Sequence, residues 1–146
     1  KQNISSTNLK KITSGLFLNN ERESKLAKKF VDRLNIKTSS VENRVNFLSG
    51  GNQQKVMIAK WLYTEPKVFI LDEPTRGIDV GAKSEIHNML RKLSDEGQGI
   101  TIISSELPEI IGLCDRVIIM HEGKVVGEVT GDDMNEHKLV SMASAI

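Results

Sequence analysis

The sequence predicts an α/β fold, a mainly parallel sheet flanked by helices. The first observation is an apolar run at residues 68–71 that stops at Asp72, Glu73 and Pro74. An uninterrupted run of this kind is typical of a strand covered on both faces, as in a parallel sheet. The second observation is a similar run at residues 100–103. The third is that a helical pattern separates the two runs, and such alternation favours parallel pairing.

Composition limits the class of protein. A length of 146 residues suits one ordinary domain, and the chain starts at Lys1 rather than Met, which indicates part of a longer protein. A net charge of +1 with dispersed Lys and Arg argues against nucleic acid as a partner. Cys114 is the only cysteine, so we expect a small core residue in a reducing compartment. No apolar run approaches the ~18 residues of a membrane span, so we expect a soluble, cytoplasmic chain.

The N-terminal part contains one predicted helix. Residues 1–15 are polar and irregular, and we expect Leu9 and Ile12 to anchor them. Asn20 is the predicted N-cap of the helix, with Glu23 in the capping-box position. The apolar residues that recur at helical spacing are Leu26, Phe30, Val31 and Leu34. The opposite face is rich in Lys and Arg and is expected to face solvent.

The C-terminal part alternates helices and strands. A helix is predicted over residues 82–94 and a short one over 108–113, which begins at a proline. The stripe of the longer helix consists of Ile86, Met89, Leu90 and Leu93. Residues 117–120 and 124–129 flank a His-Glu-Gly turn, which predicts a hairpin at an antiparallel edge of the sheet. Residues 134–142 are expected to form a terminal helix.

Two acidic residues follow the first buried strand. Pro74 cannot donate to a ladder, so Asp72 and Glu73 are expected at the carboxyl edge of the sheet, where open α/β folds bind ligands. Adjacent acids there suit one metal ligand and one group that handles a proton. On this stretch alone, an N-terminal cap for the next helix is an equally good interpretation.

A glycine pair precedes this strand, in Leu48-Ser49-Gly50-Gly51-Asn52-Gln53-Gln54-Lys55. Ser49 can cap a helix, while the glycines allow the backbone to approach whatever it faces. Exposed N–H groups at a helix N-terminus form an anion site. Taken alone, the segment is a weak signal, because many ordinary turns and helix caps have the same residues.

The order of these segments resembles the ATP-binding cassette (ABC) ATPases. In that family the Leu-Ser-Gly-Gly-x-Gln-Gln run is the signature motif and the strand ending Asp-Glu-Pro is Walker B; residues 76–79 fall at the D-loop. Residues 79–83 and 104–109 resemble, more specifically, the second, C-terminal cassette of fused ATP-binding subunits of bacterial monosaccharide importers, of the ribose type. The resemblance covers essentially the whole chain.

The resemblance implies a partial P-loop NTPase-like fold. Residues 1–65 would form a helical subdomain that includes the signature motif and its helix. Residues 66–146 would form the C-terminal half of the ATPase core, with Walker B, D-loop, switch region, terminal hairpin and helix. The P-loop half would lie upstream of Lys1.

The resemblance also implies site residues and cofactors, ATP and Mg²⁺. Asp72 would hold Mg²⁺, directly or through water, and Glu73 would polarise the attacking water. The residues assigned to the nucleotide of the opposing cassette or to the interface are Ser49, Gly50, Gly51, Gln53 and Asp79. We expect Ser49→Arg or Gly51→Asp to block transport while leaving the fold intact.

Two departures from the family pattern affect activity. Ser105 occupies the position of the switch histidine, as a candidate catalytic residue that lacks an imidazole. The only near match to a P-loop is residues 77–84, where Ala82 replaces the second glycine and Asp79 would repel phosphate. We therefore expect the chain alone to bind ATP weakly and to be inactive.

These observations predict part of an ATPase subunit at the cytoplasmic face of the cell membrane. Its partners would be a second ATPase cassette, membrane permease subunits and, through the permease, a periplasmic sugar-binding protein. The alternative is a non-hydrolytic module that completes the partner cassette's ATP site through its signature motif. A chromosome-maintenance ATPase would need long heptad repeats, which the sequence lacks. We also expect the chain alone to self-associate through the uncovered sheet.

Overall fold

The structure is a computed structural model that describes residues 1–14 and 17–144. Its helices and strands are α1 (Gln2–Ser5), β1 (Thr13–Ser14), β2 (Phe17–Leu18), α2 (Asn20–Arg33), α3 (Gly50–Leu62), β3 (Val68–Asp72), α4 (Val80–Asp95), β4 (Gly99–Ile103), α5 (Leu107–Leu113), β5 (Arg116–His121), β6 (Lys124–Thr130) and α6 (Glu136–Ser144). Short 3-10 turns lie at Leu9–Ile12, Val45–Phe47 and Gly131–Asp133. The predicted α/β class is confirmed.

The chain forms two compact units. The first comprises Lys1–Phe69 and Thr75–Ile100, and the second comprises Ile70–Pro74 and Thr101–Ile146. Strands β3 and β4 each pass from the first unit into the second. Among the described residues, no helix is both long and apolar enough to cross a lipid bilayer.

The first unit is built on α2, α3 and α4. Its buried apolar side chains include Ala27, Phe30, Leu34, Val56, Ile58, Ala59, Leu62, Ile86, Leu90 and Leu93. The predicted stripe of α4 therefore faces this core, although Met89 is only half-buried. Helix α4 begins at Val80, before the predicted start at residue 82, because Asp79 accepts a hydrogen bond from the Ala82 N–H at 2.9 Å and caps it.

The start of α2 differs from the prediction. The side chain of Asn19 accepts a hydrogen bond from the Arg22 N–H at 2.9 Å, so Asn19 is the N-cap and the predicted cap, Asn20, is the first helical residue. Glu23 makes no capping box: it is buried and accepts a hydrogen bond from the Ser5 hydroxyl at 2.6 Å. The predicted capping arrangement was wrong because two consecutive asparagines offer the same cap chemistry.

The anchors of the N-terminal segment also differ. Ile4 and Ile12 are each 2% exposed, whereas Leu9 is 45% exposed. The predicted irregular segment contains α1, and this short helix places Ile4 in the core of the first unit. The prediction for Ile12 is confirmed and that for Leu9 is wrong. Gly15 lies outside the described residues.

Strands β3 and β4 pair in parallel. The Gly99 N–H donates to the Lys67 carbonyl at the beginning of both strands, and the Glu73 N–H donates to the Ile103 carbonyl at their ends. The prediction that both faces are covered is wrong. Only Phe69 is buried in β3, while Val68 is 57% and Ile70 is 71% exposed. The reason is that the described residues supply only two strands to this sheet.

The second unit contains the predicted hairpin. β5 and β6 pair antiparallel, and the turn between them uses left-handed backbone at Glu122 (φ 45°) and Gly123 (φ 78°), as in a type I′ turn. Within the described residues the hairpin is a sheet of its own, so the predicted edge position beside β3 and β4 is wrong. The core of the second unit consists of Val117, Ile119 and Val129 from the hairpin and Leu139 from α6.

Helices α5 and α6 complete this unit. α5 begins with Pro108 in its first turn, as predicted, and α6 runs two residues further than predicted, to Ser144. Cys114, at the end of α5, is half-buried against the hairpin core, and burial raises the pKa of its thiol. Its predicted packing role is thus confirmed in part.

Candidate functional site

The predicted site residues fall into two groups. The signature residues Ser49, Gly50, Gly51 and Gln53 lie in the first unit with Asp79, and Asp72, Glu73 and Ser105 lie in the second.

The signature segment opens α3. Ser49 is the N-cap by position, but its side chain makes no capping bond; its hydroxyl accepts a hydrogen bond from Asn52 Nδ2 at 2.8 Å. Gln53 Nε2 donates to the carbonyl of Leu48 at 2.8 Å, so this side chain holds the residue before the cap. Both contacts are local. Together they fix the turn at which Ser49 and Gly50 are exposed.

The glycines of the signature segment are required by packing. A Cβ at Gly51 would lie 2.5 Å from the Cβ of Ala82, and a Cβ at Gly50 would lie 3.3 Å from Ile78 Cγ2. Gly51 is buried, so α3 and α4 approach each other here at a distance only glycine permits. The glycine pair at the start of α3 therefore packs against residues 78–82 of the same unit.

Gly51→Ala is expected to destabilise the chain by about 1–3 kcal/mol, because the added methyl must push α4 from α3. Denaturant unfolding of the purified chain measures this change. Gly112→Ala is the matched control: Gly112 is also helical and a Cβ there meets nothing within 4 Å. That variant is expected to be neutral or stabilising by up to about 1 kcal/mol. Equal stability of both variants would contradict the packing argument.

The segment that nearly matches a P-loop, residues 77–84, has another role. Asp79 and Ala82 make the cap of α4, and Gly77 alone in the segment has a left-handed backbone (φ 76°). The carboxylate of Asp79 thus occupies the helix N-terminus that a phosphate would need. This geometry supports the prediction that the segment is not a P-loop.

A buried lysine links α3 to α4. Lys55 Nζ donates to Glu85 Oε2 at 2.7 Å and to the Asn35 carbonyl at 3.0 Å, and its side chain is 3% exposed. Lys37 Nζ binds the other oxygen, Glu85 Oε1, at 2.8 Å. The hydrogen bonds from Lys37 and then Lys55 lower the pKa of Glu85 from 4.5 to about 2. Sequence reasoning missed this cluster, although Lys55 shares the helical spacing of buried Gly51, Ile58 and Leu62.

Glu85→Gln is expected to remove an acid-sensitive part of the stability. Since the folded-state pKa of Glu85 is depressed, its contribution is fully present above pH 4.5 and is lost as the pH falls toward 2. The difference in unfolding free energy between wild type and variant should therefore shrink across that interval. Denaturant titrations at several pH values measure it. A difference that stays constant from pH 7 to pH 2 would contradict this assignment.

In the second unit, Glu73 and Ser105 come together. Glu73 Oε1 accepts a hydrogen bond from the backbone N–H of Ser105 at 2.9 Å. The backbone of Glu73 is left-handed (φ 47°), which is uncommon for a residue other than glycine and frequent at functional sites. Its N–H is held by the Ile103 carbonyl at 2.8 Å. The contact uses the main chain of Ser105, so it is independent of the side chain at that position.

A serine and a glutamate brace the segment that contains Ser105. The Ser104 hydroxyl donates to Glu109 Oε2 at 2.5 Å and accepts a hydrogen bond from the Glu106 N–H at 3.0 Å. Glu109 is buried in the first turn of α5. These bonds fix the backbone whose amide reaches Glu73. Neither Ser104 nor Glu109 is among the predicted site residues.

Asp72 is the last residue of β3, and its side chain is exposed. The interpretation of Asp72 and Glu73 as caps of the next helix is wrong, since Asp79 caps α4. The part of the chain that the structure describes contains no cluster of three metal-binding side chains. One exposed carboxylate fits Mg²⁺, which takes few protein ligands and completes its shell with phosphate oxygens and water.

Comparison with known proteins identifies the family. The sequence model of the family "ABC transporter" matches residues 2–76, more than half of the chain. The chain therefore belongs to the ABC transporter family.

Within this family the chain is close to sugar import ATP-binding proteins. It is 54% identical over 145 residues to the ribose import ATP-binding protein RbsA 2 of Rhizobium meliloti, a match that covers 99% of the chain and 28% of the relative. It is 50% identical over 144 residues to the xylose import ATP-binding protein XylG of Thermoanaerobacter pseudethanolicus, with 99% and 28% covered. The chain thus spans less than a third of the length of these relatives.

Solved structures agree with this fold. The ADP conformation of MJ1267, an ATP-binding cassette of an ABC transporter, superposes with a TM-score of 0.78 at 24% identity, covering 97% of the chain and 60% of the cassette. The dimeric cassette MJ0796 bound to ADP and Pi gives a TM-score of 0.66 at 26% identity, covering 81% and 50%. The predicted partial ABC-ATPase fold is confirmed.

Proposed function

We propose that the chain is the C-terminal part of the second cassette in a fused ATP-binding subunit that couples ATP hydrolysis to import of a monosaccharide such as ribose. The observation that carries this proposal is the 54% identity to a ribose import ATP-binding protein over 145 residues. In the complete protein, residues 1–65 serve as the helical subdomain and residues 66–146 as the C-terminal half of the ATPase core. The residues in this chain do not hydrolyse ATP without the P-loop half.

The acidic end of β3 supplies the reaction chemistry. Mg²⁺, when bound with ATP, neutralises charge on the phosphates. Asp72 holds that ion directly or through water, and its exposure at the strand end supports this role. Glu73 orients and polarises the attacking water. The main-chain hydrogen bond from Ser105 supports Glu73 in this role, because it fixes one carboxylate oxygen and leaves the other available.

The signature segment serves the opposing cassette. Ser49 and the amides of Gly50 and Gly51 bind the γ-phosphate of ATP held there, while Gln53 stabilises the loop and Asp79 lies at the interface between cassettes. The exposure of Ser49 and Gly50 at the start of α3 supports this assignment. The remaining partners are the membrane permease subunits and, through them, a periplasmic sugar-binding protein. The subunit works at the cytoplasmic face of the membrane.

One observation favours the alternative of a non-hydrolytic module. Ser105 replaces the histidine that the family has at the switch position, and its side chain provides no imidazole to the phosphate. In that case Ser49, Gly50 and Gly51 complete the partner's ATP site, and Glu73 has no essential role. The alternative differs from the main proposal only in whether ATP is hydrolysed at the carboxyl end of β3.

Transport by the reconstituted importer tests the proposed function. The full-length subunit is combined with its permease in proteoliposomes, and the sugar-binding protein is loaded with labelled ribose, xylose or arabinose. We expect ATP-driven accumulation of at least one of these sugars. Hydrolysis that is insensitive to all three loaded proteins, with no uptake, would contradict the proposal.

The isolated chain is expected to self-associate. Val68, Ile70 and Ile103 leave apolar surface on a sheet of two strands, and burying ~500 Å² of it contributes about 12 kcal/mol before association entropy is subtracted. Light scattering at micromolar concentration measures the state of the chain. Ile70→Lys places a charge on the most exposed of these residues and is expected to shift the population toward monomer. A sharp monomer peak for the unchanged chain would contradict this expectation.

A further inference from the structure

The side chain of Asn52 bridges two segments at the start of α3. Its Oδ1 accepts a hydrogen bond from the backbone N–H of Lys37 at 2.7 Å, and its Nδ2 donates to the Ser49 hydroxyl at 2.8 Å. Asn52 is half-buried, whereas Ser49 is exposed. The asparagine thus lies on the inner side of the serine and links it by hydrogen bonds to the loop that follows α2.

These contacts fix the orientation of the amide. A backbone N–H can only donate, so the group that faces Lys37 has to be the amide oxygen. The NH₂ group consequently faces Ser49 and donates to its oxygen. The backbone N–H of Lys37 therefore determines that Asn52 is the donor and Ser49 the acceptor in their hydrogen bond. The assignment of Oδ1 and Nδ2 in the Asn52 amide is not arbitrary.

This polarity determines what Ser49 can offer to a ligand. A hydroxyl has one proton and two acceptor lone pairs, and the Asn52 amide uses a lone pair. The proton of Ser49 remains available to donate outward. Phosphate oxygens at neutral pH act as acceptors. A serine whose proton is free to point outward can therefore donate a hydrogen bond to a bound phosphate.

The Lys37 segment is itself anchored. Lys37 Nζ forms an ion pair with Glu85 Oε1 at 2.8 Å, and Glu85 also binds buried Lys55 of α3. Asn52 therefore receives its orientation from a segment that is tied to both α3 and α4. This network connects Ser49 to the interior of the first unit.

We propose that Asn52 is a positioning residue that keeps the Ser49 hydroxyl as a hydrogen-bond donor toward the γ-phosphate of ATP on the opposing cassette. The inference rests on the proposed function, because it requires that Ser49 contacts this phosphate. Asn52 itself contacts neither the phosphate nor the attacking water. Its effect is transmitted entirely through Ser49.

A double-mutant cycle in the full-length subunit, assembled with its permease, tests the inference. The variants are Ser49→Ala, Asn52→Leu, which has nearly the same shape as asparagine, and the double variant; the readout is kcat/KM for Mg-ATP. We expect each single change to lower kcat/KM by about 10- to 100-fold, the range for one hydrogen bond to a charged group. The double variant should lose no more than either single variant.

Asn52→Asp adds a second readout. An ionised carboxylate can only accept, so the Ser49 hydroxyl donates its hydrogen bond to the new carboxylate and no longer has it for the phosphate. Asn52→Asp is therefore expected to be more impaired than Asn52→Leu. Normal kcat/KM for Ser49→Ala would overturn the proposed role of Ser49. If Ser49→Ala is impaired but Asn52→Leu keeps a normal kcat/KM, the positioning role alone is overturned. The same conclusion follows if the losses of the two single variants are fully additive in the double variant. Thermal unfolding of each variant separates these outcomes from loss of fold, which a merely structural asparagine would show.

Discussion

Glu73→Gln in the full-length subunit is expected to reduce ATP hydrolysis at this cassette by about 10²–10⁴-fold, the usual contribution of a general base. Glutamine keeps the size of the side chain and its oxygen can still accept the Ser105 N–H, but it cannot take a proton from water. Single-turnover hydrolysis of Mg-ATP by the assembled importer measures the loss. ATP binding should change little, because the substitution removes the group that accepts a proton from water and leaves the contacts to phosphate in place.

Ser105→Ala is the matched control for this prediction. It removes the hydroxyl but keeps the backbone N–H that holds Glu73, so hydrolysis is expected to stay within a few-fold of wild type. A small loss for Glu73→Gln would support the non-hydrolytic alternative. A loss for Ser105→Ala as large as that for Glu73→Gln would show that the hydroxyl, and not the amide, carries the contact that matters.

Ser49→Arg is expected to abolish ATP-driven sugar uptake. Ser49 is exposed, so an arginine at this position is expected to leave the fold unchanged. The larger side chain fills the space in which the γ-phosphate of the opposing ATP would lie. Uptake in proteoliposomes and thermal unfolding of the variant measure the two effects. We expect background uptake with an unchanged unfolding temperature.

Asn88→Arg is the control, since it adds the same side chain at an exposed position of α4. Uptake close to wild type is expected for it. Normal uptake by Ser49→Arg would contradict the role of the signature segment. Gly51→Asp cannot serve in the same way: the expectation that it preserves the fold was wrong, because Gly51 is buried and a Cβ there meets Ala82 at 2.5 Å.

Local features of the fold could be predicted from the sequence. The Glu122-Gly123 turn, the proline in the first turn of α5 and the apolar stripe of α4 are each determined within a few residues of chain. Hydrophobic spacing and turn chemistry report such features directly. The parallel pairing of β3 and β4 also followed from the helix between them.

Features that depend on distant residues could not be predicted. The burial of β3 depends on elements that cover it, and no property of residues 68–71 reveals whether those are present. The need for glycine at position 51 arises from Ala82, on another helix. The cap of α4 is a further example, because the glycine-rich pattern around Asp79 resembles a phosphate loop as much as the start of a helix.

In the candidate site, too, the residue types could be predicted from the sequence but the contacts between distant residues could not. Residue types and order indicated Glu73 and Ser105 separately, whereas the bond between them uses a backbone amide that no sequence pattern displays. Asn52 was passed over as the variable residue of the signature motif, although its two hydrogen bonds orient Ser49.

A photoreactive ATP analogue that carries its reactive group on the γ-phosphate can show whether the signature segment binds the nucleotide of the opposing cassette. The assembled importer is irradiated with the analogue and Mg²⁺, and mass spectrometry identifies the labelled peptides. We predict label on the peptide that contains Ser49 and Gly50, and its loss in Ser49→Arg. Label found only outside the signature segment, and unchanged by Ser49→Arg, would contradict the claim that this segment binds the γ-phosphate of the opposing cassette.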